Sequence, residues 1–291
     1  MNIKDKVIVI TGASGGIGQA TSLSLHQRQA KLILVARNAE KLKDLNRQMN
    51  DQHQIVAADL STQSGRQKLL SYCESVGHID MLINNAGISD FVEFERNSDE
   101  KINELININL VSPMLLTKAL LPTLAKAKES IILNVGSSFG TIGYPCFTTY
   151  CASKFGLKGF SESLKRELQD QTTKVLYMAP RATKTSINTT AVDQLNKQLG
   201  NTVDSPQIVA KAIIEQLVKE SDRVAIGWPE KLFLKINGLF PSLVDGAIAK
   251  QLQHIKNFAR LNVSVDSVIE FPKFHVNENS DSERGNLSSI N

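Results

Sequence analysis

The feature that most limits what this chain can fold into is its first apolar run, Val7-Ile8-Val9-Ile10, which leads straight into Thr11-Gly12-Ala13-Ser14-Gly15-Gly16-Ile17-Gly18. A run apolar at every position has no face suited to water, so it predicts a strand covered on both sides, as in a parallel sheet. Further strands are expected at Lys31–Ala36, Gln54–Ala58, Asp80–Ile83, Ser130–Val135, Val175–Ala179 and Val224–Ile226. Helical stretches fall between them, at about Gly18–Arg28, Glu40–Gln52, Ser64–Val76, Glu100–Ala127 and Tyr150–Gln171. Alternation of this kind requires parallel pairing, right-handed crossovers and helices on both faces.

The expected fold class is therefore α/β: a doubly wound Rossmann fold with a parallel sheet of about seven strands, occupying residues 1–227 as one domain. Beyond Gly227 the pattern changes. Leu232, Ile236, Leu239, Leu243, Ile248 and Leu252 recur at near-helical spacing, with Pro229 and Pro241 as helix starts, so 228–261 is expected to be a helical appendage. Residues 262–291 form a polar tail, expected to be disordered from about Asn277. A net charge of +4 from 33 basic and 29 acidic side chains is too balanced for a nucleic-acid partner. There is no run of about 18 apolar residues, and Met1–Lys6 leave no room for a secretory segment, so no membrane-spanning helix is expected. The cysteines Cys73, Cys146 and Cys151 lack CxxC spacing and suit a reducing cytoplasm; scattered histidines argue against a metal.

Glycines after a first strand allow a tight turn, close approach of a pyrophosphate and close helix packing, while the next helix aims its amides at the anion. Here Gly12, Ser14, Gly16, Ile17 and Gly18 are the candidate contacts, although the spacing is not GxGxxG and a plain turn is the competing reading. At the end of the second strand, where an acid would bind the ribose 2′-hydroxyl of NAD, the chain has Ala36, Arg37 and Asn38. A guanidinium there suits a 2′-phosphate, which favours NADPH/NADP over NADH; the alternative is a solvated arginine.

Three more segments sharpen the reading: Asn84-Asn85-Ala86-Gly87 after the fourth strand, Asn134-Val135-Gly136-Ser137-Ser138-Phe139-Gly140 after the fifth, and Tyr150-Cys151-Ala152-Ser153-Lys154 opening the next helix. Tyr150 and Lys154, four apart, share a helix face, and an ammonium near the phenol is expected to lower its pKa. With the TGxxxGxG turn these segments resemble the short-chain dehydrogenase/reductase family over about residues 3–190. The resemblance implies a catalytic set of Asn109, Ser137, Tyr150 and Lys154. In it Tyr150 is the general acid/base, Lys154 also holds the nicotinamide ribose, Ser137 polarises the substrate and Asn109 anchors a water relay. Ser138, Asn107 and Tyr144 are the competing positions: the family spacing selects Ser137 over Ser138, Asn109 rather than Asn107 matches the family asparagine, and no lysine stands four residues after Tyr144.

The resemblance further implies cofactor contacts at Asp59 and Leu60 beside the adenine, at Asn85, Ala86 and Gly87 on the ribose side, and at Pro180, Thr183 and Thr185 near the carboxamide. In Pro180-Arg181-Ala182-Thr183-Lys184-Thr185 an arginine stands where the family has glycine. Arg181 has two readings, a structural role and a contact to an acidic substrate group. The substrate is expected to be a carbonyl or alcohol of apolar character, walled by Phe91, Val92, Phe94, Phe139, Ile142 and Phe147 and by a lid-like loop, Lys184–Gly200, with ordinary core packing as the competing reading for half of those side chains. The leading function is an NADPH-dependent carbonyl reductase or alcohol dehydrogenase, with 3-oxoacyl thioesters as a variant substrate. Its alternatives are a non-catalytic NADP-binding sensor and a membrane-associated interaction protein. The family resemblance implies a homo-oligomer. The appendage at 228–261 packs on protein or meets a membrane surface, which would make a cytoplasmic protein membrane-peripheral.

Overall fold

The computed structural model describes residues 1–228 and 230–262. Its strands are β1 (Val7–Thr11), β2 (Lys31–Ala36), β3 (Gln54–Ala57), β4 (Met81–Asn84), β5 (Ser130–Val135), β6 (Thr173–Ala179) and β7 (Arg223–Ala225). All pair in parallel, in the order β3-β2-β1-β4-β5-β6-β7. The chain winds outward from β1 to β3, then returns to lay β4 on the other side of β1. Ile10 consequently has Leu34 on one side and Ile83 on the other. A crevice opens beyond the carboxyl ends of β1 and β4, the place where sheets of this kind take ligands.

The helices between strands are α1 (Gly16–His26), α2 (Ala39–Arg47), α3 (Gln63–Val76), α4 (Asp99–Ile106), α5 (Ser112–Leu124), α6 (Thr148–Glu167), α7 (Thr190–Gln198) and α8 (Pro206–Lys219). Successive strand residues point to opposite faces, so the apolar runs divide between two cores. Ile8, Ile10, Leu32, Leu34, Ile131 and Leu133 pack with Leu25 of α1 and with Val209, Ile213 and Leu217 of α8. Val9, Ile33, Val35, Leu82 and Ile132 pack with Leu69 and Cys73 of α3 and with Leu116, Leu120 and Leu124 of α5. The three cysteines are buried free thiols.

Three features differ from the sequence reading. The single helix expected over about Glu100–Ala127 is interrupted by a π turn at Asn107–Val111 between α4 and α5. The whole run Asp99–Leu124 is long and apolar enough to cross a membrane by length and composition, where no such stretch was expected. Leu105, Leu116, Leu120 and Leu124 are buried, however: α5 packs on β4 and β5 and α4 packs on α6. Part of the polar loop expected over Lys184–Gly200 is helix α7, capped by the Thr189 hydroxyl and seated through Ala191 and Leu195.

The C-terminal stretch forms α9 (Glu230–Leu239), α10 (Pro241–Ala249) and α11 (Leu252–Leu261). Helix α11 buries Ile255 and Ala259 in a cluster with Phe91, Phe147, Cys151 and Leu195. Arg260 clamps it there, donating from Nε and Nη2 to the buried Glu93 carboxylate at 2.9 and 3.1 Å. Those hydrogen bonds hold the Glu93 carboxyl below its ordinary range. Pro229 and the tail expected to be disordered from Asn277 lie outside the described residues.

Candidate active site

The turn after β1 shows why glycines stand there. Gly12 takes φ of +64°, and a Cβ on Gly18 would lie 2.1 Å from the Gly12 carbonyl oxygen. Helices α2, α3, α4, α7 and α8 are capped by the side chains of Asn38, Thr62, Ser98, Thr189 and Ser205, but Gly15 caps α1 with none. The first-turn amides of α1, backed by the helix dipole, are thereby left facing the crevice for an anion. Thr11 Oγ1 accepts from the backbone N–H groups of Asn85 and Ala86, both at 3.0 Å. The Asn85 amide returns hydrogen bonds to the Thr11 and Gly12 carbonyls at 3.0 and 3.2 Å. These four bonds lock the two strand ends into one cradle.

A cavity of about 520 Å³ runs over this cradle. Its lining brings together fifteen residues singled out from the sequence: Gly12, Ser14, Gly16, Ile17, Gly18, Arg37, Asn38, Asp59, Leu60, Asn85, Ala86, Gly87, Tyr150, Lys154 and Thr185. Asn109, Ser137, Pro180 and Thr183 are not part of that lining. At one end the exposed Arg37 stands with Lys41, which the sequence reading missed; basic residues in the first turn of a helix after the second strand are the signal that would have found it. Asn38 lines the same end, but its Oδ1 accepts from Lys41 N at 2.9 Å, so it also starts α2. Burial works against ionisation of Asp59, but hydrogen bonds from the Ser61 N–H and hydroxyl and the charge of Arg37 outweigh it, leaving the carboxyl below its ordinary range.

At the other end Tyr150 and Lys154 project from the first turns of α6. Lys154 Nζ is buried, 5.7 Å from the Tyr150 ring centroid, and donates to the Val135 carbonyl at 3.2 Å. Burial pushes the Tyr150 phenol up to about 12, with hydrogen bonding to Ser137 pulling the other way. The same burial brings Lys154 down to about 8. Burial therefore outweighs any lowering by the Lys154 ammonium, which is turned to a backbone carbonyl, and the tyrosine pKa is raised where a lowering was expected.

Asn109 sits in the π turn, a distortion often found at functional sites. Its Oδ1 accepts from Ile88 N at 2.8 Å, while its Nδ2 donates to Ile88 O at 2.8 Å and to Ser153 Oγ at 3.1 Å. It thus ties the segment after Gly87 to α6 between Tyr150 and Lys154. Asn107 turns away, donating to Ser61 O at 3.3 Å. Ser137 Oγ accepts from Phe139 N at 3.1 Å. Tyr144 stacks on Phe139 with ring centroids 4.9 Å apart, and burial raises its phenol to about 12.

Phe91, Phe139 and Phe147 were expected to wall a substrate pocket. They are not part of the cavity lining but pack with Tyr144 and Tyr150, in line with the core-packing reading; Phe91 is fully buried and stacked on Phe147 at 4.8 Å. The loop expected to wall the pocket, Lys184–Gly200, does contribute Thr185, Ser186 and Ile187 to the cavity lining, and the segment after Gly87 contributes Ile88 and Ser89. Beyond β6, Pro180 O accepts from Ser138 N at 2.8 Å, and Thr183 Oγ1 donates to Arg181 O at 2.9 Å. The Arg181 guanidinium is engaged by Asp204 and its φ is not positive, which is how an arginine is accommodated in the glycine position. Thr185 Cγ2 lies 2.8 Å from where a Gly16 Cβ would be, closing this loop over the glycine turn.

A family model described as short chain dehydrogenase matches residues 6–196. An uncharacterized oxidoreductase of Staphylococcus saprophyticus is 30% identical over 234 residues, 79% of this chain and 93% of that protein. A short chain dehydrogenase from Burkholderia cenocepacia, solved in complex with NADP, superposes with a TM-score of 0.74 at 20% identity, covering 85% of this chain and 99% of that one. A short chain dehydrogenase/reductase from Burkholderia phymatum, solved in complex with NAD, gives 0.75 at 18% identity, covering 84% and 96%.

Proposed function

The chain belongs to the short chain dehydrogenase family, an oxidoreductase family that binds nicotinamide cofactors, and from that premise we propose that it is an NADPH-dependent carbonyl reductase with Tyr150 as its general acid/base. The observation that carries this reading is the placement of Tyr150 and Lys154 in the same cavity as the glycine cradle. The cradle fits a dinucleotide pyrophosphate: uncapped amides of α1, no side chain at Gly12 or Gly18, and Thr185 closing from above. Bound NADPH supplies the hydride.

The chain's own part is proton transfer and positioning. Tyr150, held protonated by burial, gives its proton to the substrate oxygen as that oxygen gains charge. Lys154, charged below about pH 8, compensates the phenolate left behind. The Ser137 hydroxyl, hydrogen-bonded to Tyr150, orients the phenol and meets the developing alkoxide. Asn109, through Ile88 and Ser153, positions the cavity wall against α6. Pro180 and Thr183 shape the loop that presents Thr185. Residues 1–227 would form the cofactor-binding and catalytic domain and 228–261 its appendage. A homo-oligomer is supported by Met114 and Leu115 of α5 and Phe155 of α6, large apolar side chains left exposed.

Purified protein is expected to oxidise NADPH with aldehydes, ketones or 3-oxoacyl thioesters, faster with long-chain substrates than with short ones. No turnover across that panel, with NADPH still bound, would leave a cofactor sensor as the better reading. The cofactor preference rests on Arg37 and Lys41. Arg37→Asp is expected to weaken NADPH binding at least about tenfold and NADH binding much less, the loss of one charge-assisted contact. Equal effects on both cofactors in a titration would refute a 2′-phosphate site.

A further inference from the structure

Tyr177 of β6 is a polar side chain held in the core, 5% exposed, and its hydroxyl has no hydrogen-bond partner. That hydroxyl reaches the turn that carries Ser137. A Cβ on Gly136 would lie 2.1 Å from Tyr177 Oη and one on Gly140 2.4 Å from it, so the phenol fits only because both positions are glycine. The same Cβ on Gly140 would lie 2.9 Å from the Lys154 carbonyl oxygen, which puts the phenol tip where the serine turn meets the first turns of α6. Burial pushes the Tyr177 phenol above its ordinary range. The Ser137 backbone faces it without hydrogen-bond geometry and pulls the other way by less, and a charge on Tyr150 would raise it further.

A buried hydroxyl without a partner costs stability that a phenyl ring would not, so a phenol kept here calls for a reason outside folding. The backbone ties the serine turn to β6 on both sides of Ser137: Gly136 N donates to Met178 O at 2.7 Å and Ser138 N to Pro180 O at 2.8 Å. Two such bonds leave the turn able to pivot about them, and the phenol tip wedged between Gly136 and Gly140 blocks that pivot. We propose that Tyr177 is a positioning residue for the reaction: its hydroxyl props the Ser137 turn against α6 and so sets where the Ser137 hydroxyl meets the Tyr150 phenol. The inference rests on the reductase reading, in which Ser137 orients that phenol. The orphaned hydroxyl is then a local cost in stability retained for alignment.

The test is Tyr177→Phe, which removes Oη alone. Its Tm is expected to be unchanged or higher, because an unsatisfied buried polar group is gone. With a carbonyl substrate its kcat should fall about tenfold, while KM for NADPH changes less than about twofold. In a Ser137→Ala background the same substitution should change kcat less than about twofold, since the residue it acts through is absent. A readout independent of turnover is the Phe139 amide, which donates to Ser137 Oγ at 3.1 Å; its hydrogen exchange should be several-fold faster in Tyr177→Phe. Wild-type kcat and wild-type exchange in Tyr177→Phe, or an equal loss of kcat with and without Ser137, would overturn the proposal. A lowered Tm alongside the lost activity would overturn it too, by making Tyr177 a packing residue. If the wild type reduces no carbonyl, the reductase reading fails by itself, and the Phe139 exchange rate still decides whether Tyr177 holds Ser137 in place.

Discussion

Tyr150→Phe is expected to lower NADPH-dependent carbonyl reduction by about 10³-fold, within the range that a positioned general acid contributes, while changing the Kd for NADPH less than about threefold. The phenyl ring keeps its edge contacts with Phe139 and Phe147, so folding is preserved. What is lost is the only proton that the site delivers from that position. The pH profile follows from the direction of the two shifts. Tyr150 sits at about 12 and remains an acid across the working range. Lys154, lowered to about 8, is charged below that pH and neutral above it. A neutral lysine no longer compensates the phenolate, so kcat for reduction should be flat below about pH 8 and fall above it. Lys154→Met should show low activity and no limb near pH 8. A Tyr150→Phe enzyme keeping more than a tenth of wild-type turnover would remove Tyr150 from the acid/base role.

The sheet was legible because parallel strands buried on both faces carry their signal locally. β2 and β5 occupy the residues read from the sequence, Lys31–Ala36 and Ser130–Val135, since each is an apolar run bounded by polar or glycine-containing segments. The glycine cradle and the Tyr150–Lys154 pair were equally legible, each needing only a few consecutive residues. Longer-range facts were not. The π turn that aims Asn109 at Ile88 adds no residue type that a helix would lack. Helix α7 hides in polar sequence because its buried face is short and mixed, Ala191 and Leu195 one turn apart with the polar Asn196 beside them. The tyrosine pKa was misjudged because the i, i+4 spacing fixes a shared face but not where the ammonium points; Val135, nineteen residues away, decides that. Phe91 and Phe147 read as pocket wall or as core alike, because sequence distinguishes an apolar side chain from a polar one but not a cavity from the core behind it; the structure places them in the core.

Asp204→Ala is expected to destabilise the protein by about 3 kcal/mol, the cost associated with breaking a buried ion pair, and to lower Tm by roughly 6–12 °C. Arg181 donates from Nε to Asp204 Oδ2 at 2.9 Å and from Nη2 to Oδ1 at 2.8 Å, with side-chain exposures of 13% and 3%. The backbone repeats the connection: Asp204 N donates to Ala182 O and Lys184 N to Asp204 O, both at 2.9 Å. Arg181 and Asp204 therefore pin the segment after β6 along most of its length, in a position where a glycine would offer no such hold. Because that segment presents Thr185 to the cavity beside Gly16, its loosening should raise the KM for NADPH by about tenfold and alter kcat less. Arg181→Gly should lose the same clamp and leave the buried Asp204 carboxylate without its bidentate partner, so it should be no more stable than Asp204→Ala. Exchanging both for small neutral residues should recover part of the stability but not the cofactor affinity, because removing the charges relieves desolvation while the loop stays unpinned. An Asp204→Ala protein with unchanged Tm and unchanged KM for NADPH would show that the backbone pairing alone holds the loop.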